Sequence, residues 1–119
     1  MDFTSGGAGG PRLDAAALAR AEQGNNLWGT LTYPVGARRA AEEFRAAGWS
    51  VRRSSWTDFE VECAFAEFEL LPGDSVLISG FVDPDRVAVL LTALREMGLA
   101  FTVEFEDGDG QEHVYRSAA

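Results

Sequence analysis

The stretch Phe81 to Gly98, FVDPDRVAVLLTALREMG, constrains the fold more than any other. Val87, Leu90, Leu91, Leu94 and Met97 recur at i, i+3, i+4, i+7 and i+10, one face of a 3.6-residue period. Asp83 suits an N-cap, because its carboxylate can accept an unpaired amide, and Pro84 suits N1, where no backbone donor is needed. Gly98 can take a left-handed conformation just past the last turn. An apolar stripe of this kind must be buried against another layer, and the flanking segments alternate as strands do.

The same pattern returns fifty positions earlier without a gap. Pro84 aligns with Pro34, Leu94 with Phe44, Arg95 with Arg45 and Gly98 with Gly48. Leu27 and Leu31 precede the first helix as Leu77 and Phe81 precede the second. A duplicated unit is the expectation, with pseudo-repeats over 27–70 and 77–116. Two copies are too few for a solenoid, so a single domain with pseudo-twofold symmetry follows.

The chain in order gives the elements. Residues 1–10 are Gly-rich and are expected to be a disordered tail, leaving 11–119 as one α+β domain. Leu13 to Gln23 can form a short Ala-rich helix whose weak stripe leaves its docking open. Leu27–Tyr33 and Trp49–Ser54 read as strands on either side of a helix over Ala37–Ala47, and Trp56 falls at a turn. From Asp58 to Phe65 polar and apolar residues alternate strictly, and then the parity flips. One long strand, Asp58–Leu70, with a bulge or bend near Ala64–Ala66 is the expectation. Val76–Val82 is apolar on both faces, as a central strand is. Leu99–Glu106, the turn Asp107-Gly-Asp-Gly and Gln111–Arg116 complete a hairpin. The sum is β-α-β-β twice: a mostly antiparallel sheet of about six strands with two helices on one face.

Composition removes several classes of function. The formal net charge is −9, which disfavours nucleic acid, since phosphate binding needs clustered cations. All ten basic residues are Arg, so a Schiff-base lysine and a Walker-type phosphate lysine are excluded. The single Cys63 excludes an internal disulfide and a multi-cysteine metal site. No apolar run is long enough to span a bilayer and no leader pattern opens the chain, so a cytoplasmic protein is expected. The Arg, Ala and Gly bias matches a high-GC bacterial genome.

No catalytic constellation, metal motif or cofactor motif stands out. Asp107-Gly-Asp-Gly opens like a calcium loop but lacks the later ligands. If odd-numbered positions face the helices in both units, Glu60, Glu62, Glu104 and Glu106 share the opposite face with Thr30, Thr32, Arg52 and Thr102. The same parity adds Trp28 and Ile78, with Trp56 as a further indole. Aromatic anchors within a charged rim are typical of protein interfaces, and an acidic rim steers a basic partner. The reading is an acidic protein-binding module of the inhibitor or immunity type, with Trp28, Trp56, Glu60, Glu62, Glu104 and Glu106 as the partner-binding residues. The alternative is a small-ligand protein or enzyme with a cleft between sheet and helices, using Tyr33, His113, Tyr115 and Cys63. A homodimer through the acidic face or a sheet edge is a third option.

Overall fold

The computed structural model describes residues 10–117, so all but Gly10 of the expected tail lies outside the described residues. The elements are α1 (Ala15–Ala21), β1 (Leu27–Tyr33), α2 (Ala37–Ala46), β2 (Ser50–Arg53), β3 (Phe59–Glu62), β4 (Ala66–Leu71), β5 (Val76–Val82), α3 (Val87–Glu96), β6 (Ala100–Glu106) and β7 (Glu112–Arg116). A 3-10 turn, Pro84–Arg86, leads into α3. The strands form one antiparallel sheet in the order β2-β3-β4-β5-β1-β6-β7.

The architecture is α+β, but the sheet has seven strands rather than six. The expected long strand Asp58–Leu70 is a hairpin. Cys63, Ala64 and Phe65 form its turn, closed by the Cys63 amide donating to the Ala66 carbonyl at 2.9 Å. The parity flip is therefore a reversal of the chain and not a bulge within one strand. The halves also differ in order. β6 lies beside β1, whereas the place beside β5 is taken by β4, with β2 at the far edge.

Helices α2 and α3 cover one face. Their buried residues, Ala40, Ala41 and Phe44 from α2 and Leu90, Leu91 and Leu94 from α3, join Leu27, Leu31, Val61, Phe68, Leu70, Ile78, Val103 and Phe105 in the main core. The alanine face of α2 leaves Phe44 as its large core side chain, and Phe44 meets Trp49 and Phe68 edge-on at centroid distances of 4.9 and 5.5 Å. Edge-to-face packing suits the aromatic quadrupole. Gly48 and Gly98, one residue beyond the C-caps of α2 and α3, have φ of 95° and 77°, which an L side chain disfavours.

The N-terminal helix docks on the opposite face. Leu13 and Ala17 pack with Phe81 of β5 in a second, smaller core. Asp83 is the buried ionic centre of this contact, 2% exposed. It accepts from Arg20 of α1 at 2.6 Å, from Arg86 at 2.9 Å and from the Asp85 amide at 3.0 Å. Arg86 reaches on to Asp14 at 2.7 and 2.8 Å, and Asp14 caps α1 by accepting from the Ala17 amide at 3.0 Å. Burial alone would raise the Asp83 carboxyl; the Asp85 amide and the two guanidiniums outweigh it and hold it below its ordinary value. The side chain of Asn26 adds a ladder-like pair with Val82, donating to its carbonyl and accepting from its amide, both at 2.9 Å.

Candidate functional site

The outer face of the sheet, the one α2 and α3 leave uncovered, is read from the strand register, because directly paired residues share a face. One row across it is Arg52–Glu60–Glu69–Ser79–Trp28–Glu104–Val114. A second is Leu71–Leu77–Thr30–Thr102–Arg116. A third begins Ser50–Glu62–Glu67–Phe81, and Phe81 is where α1 rests. Among the described residues, the face is thus covered by α1 at one end and open elsewhere.

Trp28 sits at the middle of the open part, 38% exposed, with Glu104 directly opposite on β6. Leu77 and Val114 lie on the same face, 43% and 50% exposed. Glu60 and Glu62 occupy β3 on this face, and Glu104 and Glu106 occupy β6. The two glutamate pairs do not form one cluster, since four strand spacings, about 19 Å, separate β3 from β6. Trp56 is 90% exposed but belongs to the turn between β2 and β3, off the sheet rows.

Ile78 does not belong to this face. It pairs with Gly29 and Leu70 on the helix side and is 3% exposed. Odd positions face the helices in β1, β3 and β6, but even positions do so in β4 and β5, where Ala66, Phe68, Leu70, Val76, Ile78 and Val82 are buried. Phase is set anew by each turn, so sequence parity does not carry across the Cys63–Phe65 reversal.

That reversal creates a feature the sequence reading missed. Glu67 stands opposite Glu62, and Glu69 opposite Glu60, so four carboxylates share the outer side of the β3–β4 hairpin. Arg52 donates to Glu60 at 2.8 Å. Glu62 accepts from the Leu13 amide at 2.8 Å and so also anchors the lead into α1. Glu67 is half-buried; burial, then the charges of Glu62 and Glu60, push its carboxyl up to about 7. The parity flip near Ala64–Ala66 was the trace this arrangement left in the sequence, and it marks a change of phase without saying that the chain reverses.

The residues of the ligand or enzyme alternative do not converge. Cys63 is buried in the β3–β4 turn, and burial pushes its thiol up, away from nucleophilic character. His113, on β7, bonds through Nε2 to Asp107 at 2.8 Å and stacks near Phe105 and Tyr115. Tyr33 is exposed at the end of β1. The Asp107-Gly-Asp-Gly turn spends one Asp107 oxygen on the Asp109 and Gln111 amides, both at 2.9 Å, and the other on His113. A cleft of about 560 Å³ lies near Arg20, Asn25, Asp85, Glu106 and Asp109 and contains none of the four alternative residues. No group of three or more His, Cys, Asp or Glu side chains with metal-holding geometry occurs among the described residues, and no helix there is long and apolar enough to cross a membrane.

Comparison with known proteins finds no matching family model, no matching curated protein and no matching solved structure.

Proposed function

We propose that this chain is a protein-binding module that holds a basic partner against the outer face of its sheet, in the manner of an inhibitor or immunity-type protein acting in the cytoplasm. The observation that carries the reading is the open setting of Trp28. A tryptophan on an inner strand, with Leu77 and Val114 on the same face, leaves apolar area in water at the centre of a sheet. Glutamates flank it on both sides: Glu60, Glu62, Glu67 and Glu69 on the β3–β4 hairpin, Glu104 and Glu106 on β6. A central aromatic anchor supplies affinity, and surrounding charge supplies orientation and encounter rate. Trp56 extends this surface as an outlying anchor in the same reading. A duplicated β-α-β-β ancestry remains part of it, with β1 and β5 as the paired first strands of the two units.

The test uses Glu69→Arg with Glu104→Arg, two exposed positions that flank Trp28. Glu60 is the poorer choice, because reversing it also breaks its pair with Arg52. The double reversal is expected to leave the unfolding transition within a few degrees of the parent and to abolish affinity for the basic partner. Retained affinity removes the acidic face from the site.

A further inference from the structure

We propose that two copies of this chain join through β7, pairing antiparallel about Val114 to make one continuous sheet. β7 is a terminal strand of the sheet, with Glu112, Val114 and Arg116 exposed. An open edge presents unpaired amides and carbonyls, and natural edges are commonly guarded by charged side chains, lysine above all, by proline, by a bulge or by a cover. β7, Glu-His-Val-Tyr-Arg, carries no proline, its register with β6 runs without a shift, and its two charged residues are of opposite sign, so they can pair across a twofold axis rather than repel.

The hydrogen-bond phase of β7 fixes which groups β6 leaves unused. The Gln111 carbonyl accepts from Asp107, and the Ser117 amide donates to Phe101, so odd-numbered residues turn their backbone groups toward β6. Residues in a strand alternate in this respect, so Glu112, Val114 and Arg116 turn theirs outward. A twofold axis at Val114 sets Val114 against the partner's Val114 as a hydrogen-bonded pair. It sets Glu112 against the partner's Arg116, and Arg116 against the partner's Glu112, as two more such pairs. It sets His113 against the partner's Tyr115 on the helix side, continuing the stacked strip of Phe105, His113 and Tyr115. Every cross-strand pair is then apolar, aromatic or oppositely charged, the favourable classes.

Other registers lack this complementarity. A one-residue move of the axis sets His113 against the partner's His113, or Tyr115 against the partner's Tyr115, and places a charge opposite Val114. The other sheet edge offers less: an axis at Val51 avoids like charges but sets Ser50 opposite Arg52, with no oppositely charged pair. β2 is Ser-Val-Arg-Arg, and an axis at Arg52 or Arg53 opposes like charges. The proposed axis is normal to the sheet, so both Trp28 faces would lie on one side of a fourteen-stranded sheet; the dimer itself rests on β7 alone and not on what that face binds.

The test is sedimentation equilibrium on the full chain over a concentration series, with four variants. The parent is expected to show a reversible monomer–dimer equilibrium. Val114→Pro removes an outward amide that β6 does not use, a position where an edge strand tolerates proline, and is expected to be monomeric with an unchanged far-ultraviolet spectrum. Glu112→Arg and Arg116→Glu each set like charges opposite one another at both symmetry-related pairs and are expected to weaken the dimer about tenfold. The exchange E112R/R116E restores both pairs and is expected to return the dissociation constant to near the parent value. A parent that is monomeric throughout overturns the proposal. So does a dimer indifferent to the single reversals, or an exchange variant as weak as either single one. The charge series decides the matter even if Val114→Pro does not fold.

Discussion

Glu62 and Glu67 stand directly opposite each other on the outer face of the β3–β4 hairpin, and Glu60 and Glu69 are the next pair along. Like charges directly opposite each other weaken a sheet, so the hairpin carries an electrostatic penalty that its apolar inner face, Phe59, Val61, Phe68 and Leu70, must overcome.

That penalty is pH-dependent. The Glu67 carboxyl is raised from 4.5 to about 7 in the folded chain by burial and by Glu62 and Glu60. The protonated folded form is therefore favoured in full below pH 4.5, and the stabilisation is lost as pH rises through about 7. Glu67→Gln keeps the neutral shape and removes the titration. The variant is expected to match the parent at pH 4.5 and to exceed it at pH 8. Because Glu67 is only half-buried, screening reduces the gain to on the order of 1 kcal/mol, about 5 °C in melting temperature. Melting curves at the two pH values check this; an equal difference at both would contradict it.

Asp83 holds α1 to the sheet through Arg20 and Arg86. Asp83→Ala leaves both guanidiniums without their shared, buried acceptor and is expected to cost about 3 kcal/mol in urea unfolding. Arg20→Ala removes a partly exposed partner and is expected to cost less. Equal losses from the two variants would show that the shared carboxylate is not the centre of the contact.

Asp14 is held down to about 2 by its bond to Arg86, followed by the Ala17 amide. Its stabilising effect on α1 is present above the ordinary value of 3.8 and is lost as pH falls through about 2. The amide proton shift of Ala17, which donates to Asp14, is expected to titrate with a midpoint near 2. A midpoint near 3.8 would mean that Arg86 does not engage Asp14 in solution.

Gly29 and Gly80 lie in the adjacent inner strands β1 and β5 with no room for a side chain. A Cβ at Gly29 would drive into the Thr102 carbonyl and stand 2.8 Å from the Val103 Cα, and one at Gly80 would meet Glu67 and Phe68. Alanine at either position is expected to cost about 3 kcal/mol by overpacking, because backbone must move rather than a flexible side-chain end. Chemical denaturation measures the loss; a change within about 0.5 kcal/mol would show that the strands relax apart.

The elements with strong local signals were legible in the sequence. β1 ends at the residues the alternation gave, β5 at the bounds of the run apolar on both faces, and α3 buries Leu90, Leu91 and Leu94 from the expected stripe. Asp83 does accept from a free amide, though it caps the 3-10 turn that precedes α3. The β3–β4 hairpin was not legible, because its turn is Cys63-Ala64-Phe65, with no glycine, proline or asparagine to mark it. Once that turn was missed, the flipped parity was not carried into β5, so Ile78 was assigned to the outer face, and Glu67 and Glu69 were left out of the acidic group. The docking of α1 was out of reach for another reason. Its stripe is mostly alanine, and its position depends on ion pairs between residues 63 and 72 apart in the chain. Of the proposed surface, local alternation marked Trp28 and Glu104 but not their direct pairing, which depends on strand order.

The most direct measurement is site-specific photo-crosslinking in the native host, with a photoreactive residue placed at Trp28 and, as a control, at the exposed Val89 on α3. A binding role for the outer face predicts one defined adduct with a basic protein from position 28, lost in the Glu69→Arg, Glu104→Arg background and absent from position 89. No adduct at position 28, or the same adducts from both positions, would contradict it.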